Sequence, residues 1–293
     1  MPMISARNQR TISTSATVAG VGYWSGQDVT IEFRPAPPDA GISFVRADLP
    51  GHPRIEATLA NRTDTPRRTT LCCDGVGVGM VEHIMAALAG MQIDNCEVWV
   101  DRPEMPGCDG SSIAFVEALL QAHPVEQAAP RKLRIVEQTI RRGSEQSWIE
   151  ARPVSGNRAI LRYDLDYGAG NSIGRQSLEI TLSPRFFQLS LAPARTFMLE
   201  QEAAALRAQG LGLRVTTRDL LVFGQDGPID NPLRFPDECV RHKLLDMVGD
   251  LALAGCDLAG CFHAHRSGHQ LNAEVLGGIE QLEETPVRLR RCA

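Results

Sequence analysis

The chain has 293 residues, 43% hydrophobic and 22% charged, enough apolar material for one large or two ordinary globular domains. Its net charge of −5 provides no basic field, which argues against nucleic acid as a partner. No apolar run approaches the roughly 18 residues of a membrane span, the opening MPMISARNQRTISTS has no apolar signal core, and the eight cysteines form no C-x-x-C pair, so a cytoplasmic protein with reduced thiols is expected.

In chain order, TISTSATVAGVG (11–22) and QDVTIEFRPA (27–36) read as strands flanking a turn at GYWSGQ. GMVEHIMAALAGM (79–91) places Val81, Ile84, Met85 and Leu88 on one helical stripe, and NCEVWVD (95–101) reads as the strand after it. The apolar-periodic SIAFVEALL (112–120) is followed by the polar, proline-containing QAHPVEQAAPRK, Gln121 to Lys132. That stretch reads as a linker between an N-terminal half, 1–126, and a C-terminal half, 131–293.

Beyond it, KLRIVEQTIRRG, SWIEARPV, RAILRYDLDY and RQSLEITLS read as strands, and LEQEAAALRAQGL as a helix ended by Gly210. VRHKLLDMVGDLALAG (240–255) is a longer helix, and AGCFHAHRSGHQLN (259–272) a strand, followed by a short helix. IEFRP at Ile31–Pro35 returns as IEARP at Ile149–Pro153, and ALAG at 87–90 returns at 252–255, each at the same place in the order of elements. The pattern favours a duplicated α+β unit, with the ends MPMISAR and ETPVRLRRCA frayed.

The longer helix poses the chemical question. At 100° per residue His242, Asp246 and Asp250 fall within a sector of roughly 80°. Leu244, Met247, Val248 and Leu251 take the opposite face, while Gly249 and Cys239 border the sector and leave space before it. One reading is a solvated stripe with an ordinary His–Asp pair. The other is two metal ligands one turn apart, His242 and Asp246, with Asp250 behind them.

A catalytic zinc takes three protein ligands and leaves a position for water. His52 and His123 lie in Gly/Pro-rich or linker sequence and read as surface residues, whereas His83 follows Glu82 at the start of an apolar helix. An adjacent Glu–His pair supplies a ligand and a base. His263 and His265 alternate along a strand and are a competing pair of metal ligands; His269 follows Ser267-Gly268 and reads as a turn residue at the edge of a site.

The motifs VEHIMAALAGMQIDN, PEMPGCDGSS, ARTF, RFPDECVRHKLLDMVGDLALAG and SGHQLN together resemble the UDP-3-O-acyl-N-acetylglucosamine deacetylases of lipid A biosynthesis, from about Arg10 to Leu282. The resemblance implies two similar α+β domains, each a β-sheet layered against two α-helices, with the active site in the cleft between them. It implies a zinc cofactor held by His83, His242 and Asp246. Glu82 matches the general base, His269 the electropositive acid, Asp250 the carboxylate that orients it, and Thr196 the hydroxyl that stabilises an oxyanion. Lys243 and Arg266 match residues that meet a diphosphate, and Asp166 with Tyr167 a pair that receives uracil. The implied partner is a small UDP-linked acylated amino sugar, met by a monomer that touches a membrane surface at most transiently. Trp24 stands where the family usually has histidine, Gly107-Cys108 where it has bulkier apolar residues, and DYGAGNSIG lacks a usual Asn-His-Pro.

Alternatives are a related zinc amidohydrolase acting on another acylated nucleotide sugar, a non-catalytic sugar-nucleotide binding protein, and a structural zinc protein. Glu82 and His269 argue against pure binding, which needs no water-activating base, and three ligands with an open position argue against a purely structural metal.

Overall fold

The computed structural model describes residues 7–284 and is mixed α/β, with several sheets and six helices. The helices are α1 (Glu82–Gly90), α2 (Ile113–Gln121), the single turn α3 (Pro184–Phe186), α4 (Glu200–Ala208), α5 (Glu238–Leu251) and α6 (His269–Glu284). Apart from Arg7 and Glu284, the two ends expected to fray lie outside the described residues.

The echo in the sequence has a structural counterpart. One sheet runs in the order Ala16–Val21, Asp28–Pro35, Cys96–Val100, Ile42–Arg46, Arg54–Glu56. Another runs Ile140–Gly143, Trp148–Arg152, Asp257–His265, Ala159–Asp166, Arg175–Thr181. In both, the central strand comes last in the chain, pairs antiparallel with the second strand of its unit and parallel with the third. IEFRP and IEARP fall on the same strand of the two units, each antiparallel to its central strand, and each ALAG closes the last helical segment before that central strand. Alternation sets the buried face: Val29, Ile31 and Phe33 point inward from one second strand, Ile149 and Ala151 from the other.

Three readings of the sequence change. The expected linker Gln121–Lys132 contains a strand, Pro124–Pro130, paired antiparallel with Asn8–Ile12. Its polar composition suits an edge whose side chains are mostly exposed, with Gln127 turned in to bond Asn95 and the Ala36 carbonyl. KLRIVEQTIRRG is two strands, Leu133–Ile135 and Ile140–Gly143, and the first lies parallel to Asp257–His265. The short helix after AGCFHAHRSG has 16 residues and begins at His269 itself.

Helix α5 packs on α1 and α6 and against the strand Ala159–Asp166. The contact with α1 corrects the reading of Gly249. A Cβ built there would lie 2.0 Å from the backbone oxygen of Glu82, so Gly249 leaves no space for a ligand but lets the two helices touch. Gly249→Ala is therefore expected to destabilise the protein by about 1–3 kcal/mol, the usual cost of overpacking, and to displace Glu82. Thermal unfolding checks the first effect, and a parent-like midpoint would contradict the close crossing.

Candidate metal centre and active site

The crossing of α1 and α5 carries the polar stripe inward. His242, Asp246 and Asp250 are 1%, 4% and 2% exposed, which removes the reading of a solvated stripe. His83, from the first turn of α1, meets the stripe: its Nε2 lies 3.6 Å from Asp246 Oδ1, and His242 Nε2 lies 3.3 Å from the same oxygen. The two imidazole rings stand edge to face, 4.9 Å apart. His242 Nδ1 is 3.1 Å from the Ala194 carbonyl, which fixes the proton on Nδ1 and leaves Nε2 with its lone pair.

Whether this trio suits a metal is tested by its hydrogen bonding. Asp246 Oδ1 is buried and, among the described residues, has no hydrogen-bond partner. An orphaned carboxylate oxygen is costly in a protein interior. Two imidazole nitrogens and that oxygen, all within 4.8 Å of one another, are a donor set for a divalent cation. Burial lowers the His242 imidazole below its ordinary value, which keeps it neutral and able to ligate. Burial alone would raise Asp246, but charged neighbours, among them the Lys243 ammonium 2.7 Å from Oδ2, reverse this and hold the carboxyl well below the usual range.

Glu82, the first residue of α1, is buried beside the trio, and one of its oxygens, Oε2, accepts from the Thr69 backbone N–H at 2.8 Å. Burial raises its carboxyl above the ordinary range, opposed by the charges of His269 and His83. His269 Nδ1 lies 2.8 Å from Asp250 Oδ2. Burial would lower this imidazole, yet the charge and hydrogen bond of Asp250, with Glu82 and Asp246 adding to them, raise it to about 9.

A cavity of about 650 Å³ connects these groups. Glu82, His83, Thr196, His242, Lys243, Asp246, His269 and Tyr167 all contribute to its wall. Thr196 is set by its backbone, which donates to the Gly110 carbonyl and accepts from Leu221. Asp250 stands behind His269. Lys243 reaches the cavity, but its ammonium is engaged with Asp246. Tyr167 packs edge-on to Phe197. Asp166 and Arg266 lie outside the wall: Asp166 accepts from Gly168 N–H and Arg175, and Arg266 is exposed.

The strand histidines form no second centre among the described residues. His263 Nε2 pairs with Asp164 at 2.6 Å, and His263 and His265 both pack on Trp148. Sequence reasoning also missed residues that hold the site. Asn272 Nδ2 donates to Asp250 Oδ2 at 2.8 Å, and its place three residues after His269 was visible within SGHQLN. Thr69 reaches the same carboxylate with no motif to mark it. Arg195 is buried against Glu238 at 2.7 Å, which fastens the Ala194–Phe197 segment, and with it Thr196, to α5.

The model of the LpxC family, UDP-3-O-acyl N-acetylglycosamine deacetylase, matches residues 9–281. A UDP-3-O-acyl-N-acetylglucosamine deacetylase of Psychrobacter cryohalolentis is 39% identical over 266 residues, 90% of this chain and 83% of that protein. Proteins of the same name from Myxococcus xanthus and Brucella ovis are 39% and 38% identical, covering 93% and 92% of this chain and 86% and 94% of their own.

Proposed function

The chain belongs to the LpxC family of UDP-3-O-acyl N-acetylglycosamine deacetylases, and on that premise we propose that it is a zinc-dependent amidohydrolase that removes the N-acetyl group of UDP-3-O-acyl-N-acetylglucosamine in lipid A biosynthesis. The observation that supports this most is the unpaired Asp246 Oδ1 facing two imidazoles, with Glu82 and His269 on the wall of the same cavity.

Zinc held by His83, His242 and Asp246 would lower the pKa of a water to about 7 and polarise the amide carbonyl. Glu82 takes the proton as water adds to that carbonyl. The Thr196 hydroxyl donates to the oxygen that gains charge. Cationic His269 delivers a proton to the departing amine nitrogen, and Asp250 keeps the imidazole oriented and charged. The products balance as acetate and the free amine.

Tyr167, on the wall and 37% exposed, offers a ring for uracil, with Asp166 beside it. Lys243 and Arg266 supply positive charge for the diphosphate, and Arg266 lies close enough to Asp166 to influence it electrostatically. Leu206, Leu211, Val215 and Val222 give the cavity an apolar stretch suited to an acyl chain. In this reading the two halves, divided between residues 126 and 131, each supply part of the site: Glu82 and His83 from the first, the rest from the second.

The direct test is acetate release from the UDP-linked 3-O-acylated substrate, with and without a chelator. Chelation is expected to abolish release and added zinc to restore it. Rapid release in zinc-free protein would overturn the proposal, and release only from a different acylated nucleotide sugar would replace its substrate.

The acid pair gives a second test. Rate requires Glu82 unprotonated and His269 protonated, so kcat/KM is expected to be bell-shaped in pH. Because Asp250 holds the His269 imidazole above its ordinary value, activity falls as pH rises through that raised value. In Asp250→Asn the largest raising charge is gone while burial, which lowers the imidazole, remains. The basic limb therefore moves to lower pH and the maximum falls; an unmoved limb in zinc-loaded Asp250→Asn would separate Asp250 from His269.

A further inference from the structure

Thr69 touches both parts of the proposed proton-transfer machinery. Its backbone N–H donates to Glu82 Oε2 at 2.8 Å, and its hydroxyl donates to Asp250 Oδ1 at 2.6 Å. Its carbonyl accepts from the N–H of Val81 at 3.2 Å, just before α1 begins. The residue is 1% exposed, and all three of its polar groups are committed to the site or its entry.

These contacts arise from separate parts of the chain. The strand Thr70–Cys73 pairs antiparallel with Val76–Gly79, and that hairpin leads Thr69 back to the start of α1, where Glu82 sits. Asp250 comes from α5, which α1 touches at Gly249. Among the described residues no other hydrogen bond reaches the Glu82 carboxylate. Asp250 receives two donors on Oδ2, from His269 and Asn272, and among the described residues only Thr69 holds Oδ1. Without that hydroxyl the Asp250 carboxylate keeps one tethered oxygen and one buried, unpaired oxygen, and can turn about its terminal torsion.

We infer that Thr69 is a positioning residue that locks the Glu82 carboxylate and the Asp250–His269 pair into one geometry, so that proton removal from water and proton delivery to the amine are aligned on the same substrate. The inference rests on the proposed deacetylation. Its hydrogen bonds go to two carboxylates in a dry setting, where charge-assisted bonds are at their strongest and small misplacements of reacting groups are expensive in rate.

The test uses the full chain loaded with zinc, the UDP-linked acylated substrate, and a double-mutant cycle. Thr69→Val keeps shape and removes the hydroxyl; kcat is expected to fall roughly tenfold or more, with KM and metal content unchanged. Thr69→Ser restores the hydroxyl and is expected to bring kcat back to within about threefold of the parent. In an Asp250→Asn background, Thr69→Val is expected to cost less than about threefold, because the partner through which it acts has already been altered. A parent-like Thr69→Val, a loss confined to KM, or the same loss in both backgrounds would overturn the role. Should Thr69→Val fail to fold, Thr69→Ala against Thr69→Ser isolates the same hydroxyl, and equal rates in those two would overturn it as well. The parent's rate reports on the activity itself, and the ratios among variants on Thr69 alone.

Discussion

Glu82→Gln is expected to fold, to keep its metal, and to lose roughly 10²–10⁴-fold in turnover, the range for removal of a general base. The side chain is buried and Oε2 accepts the Thr69 N–H at 2.8 Å, an interaction that the amide oxygen of glutamine can reproduce. The isostere therefore leaves packing and the hairpin intact and removes only the ability to take a proton. His83, the adjacent ligand in the proposed centre, presents its ring to Asp246 Oδ1 from the same first turn of α1. Burial raises the Glu82 carboxyl, which brings its basicity toward working pH and suits it to accept a proton from water and pass it on. The measurement is kcat alongside elemental analysis of the same preparation. Near-parent turnover in zinc-loaded Glu82→Gln would remove Glu82 from the reaction, while loss of metal in that variant would show that the carboxylate shapes the metal site.

The parts of this site that were readable in the sequence are those whose logic is local. His242, Asp246 and Asp250 share a helical face because of residue spacing alone, and Glu82–His83 is a contiguous pair. Repetition was legible for the same reason: IEFRP and IEARP are short strings whose strands occupy equivalent places in two sheets. What escaped was decided by tertiary contact. Gly249 next to a polar stripe reads as open space, but the place of its missing side chain is filled by the backbone of Glu82, 167 positions earlier in the chain. Gln121–Lys132 has the composition of a linker, and only its partner Asn8–Ile12, at the other end of the first half, makes it a strand. His263 and His265 alternate as ligands would, yet Asp164 and Trp148 on neighbouring strands occupy them. Thr69 carries no signature because a threonine before a strand is common, and its importance depends on which two carboxylates the fold brings to it.

The largest effect is expected at the metal. Removing one imidazole in His242→Ala leaves Asp246 Oδ1 facing His83 alone, and a cation that had three ligands would keep two. Stoichiometric zinc is expected to fall from one per chain to a small fraction of that after dialysis. Turnover should fall with it, by roughly 10³-fold or more, since an unassisted water keeps a pKa near 15.7. Helix α5 tolerates the change better than the site does: Leu244, Leu245, Met247 and Val248 remain to pack it, so thermal unfolding should still show one cooperative transition. The lost imidazole also frees the Ala194 carbonyl that held it, 3.1 Å away, and loosens the segment leading to Thr196, so added zinc should restore little activity. His263→Ala is the matched control, because that ring is paired with Asp164 on the outer face of a sheet, and it is expected to retain both zinc and rate. Full zinc in His242→Ala together with loss of zinc in His263→Ala would move the metal to the strand histidines and leave the unpaired oxygen of Asp246 without a cation to explain it.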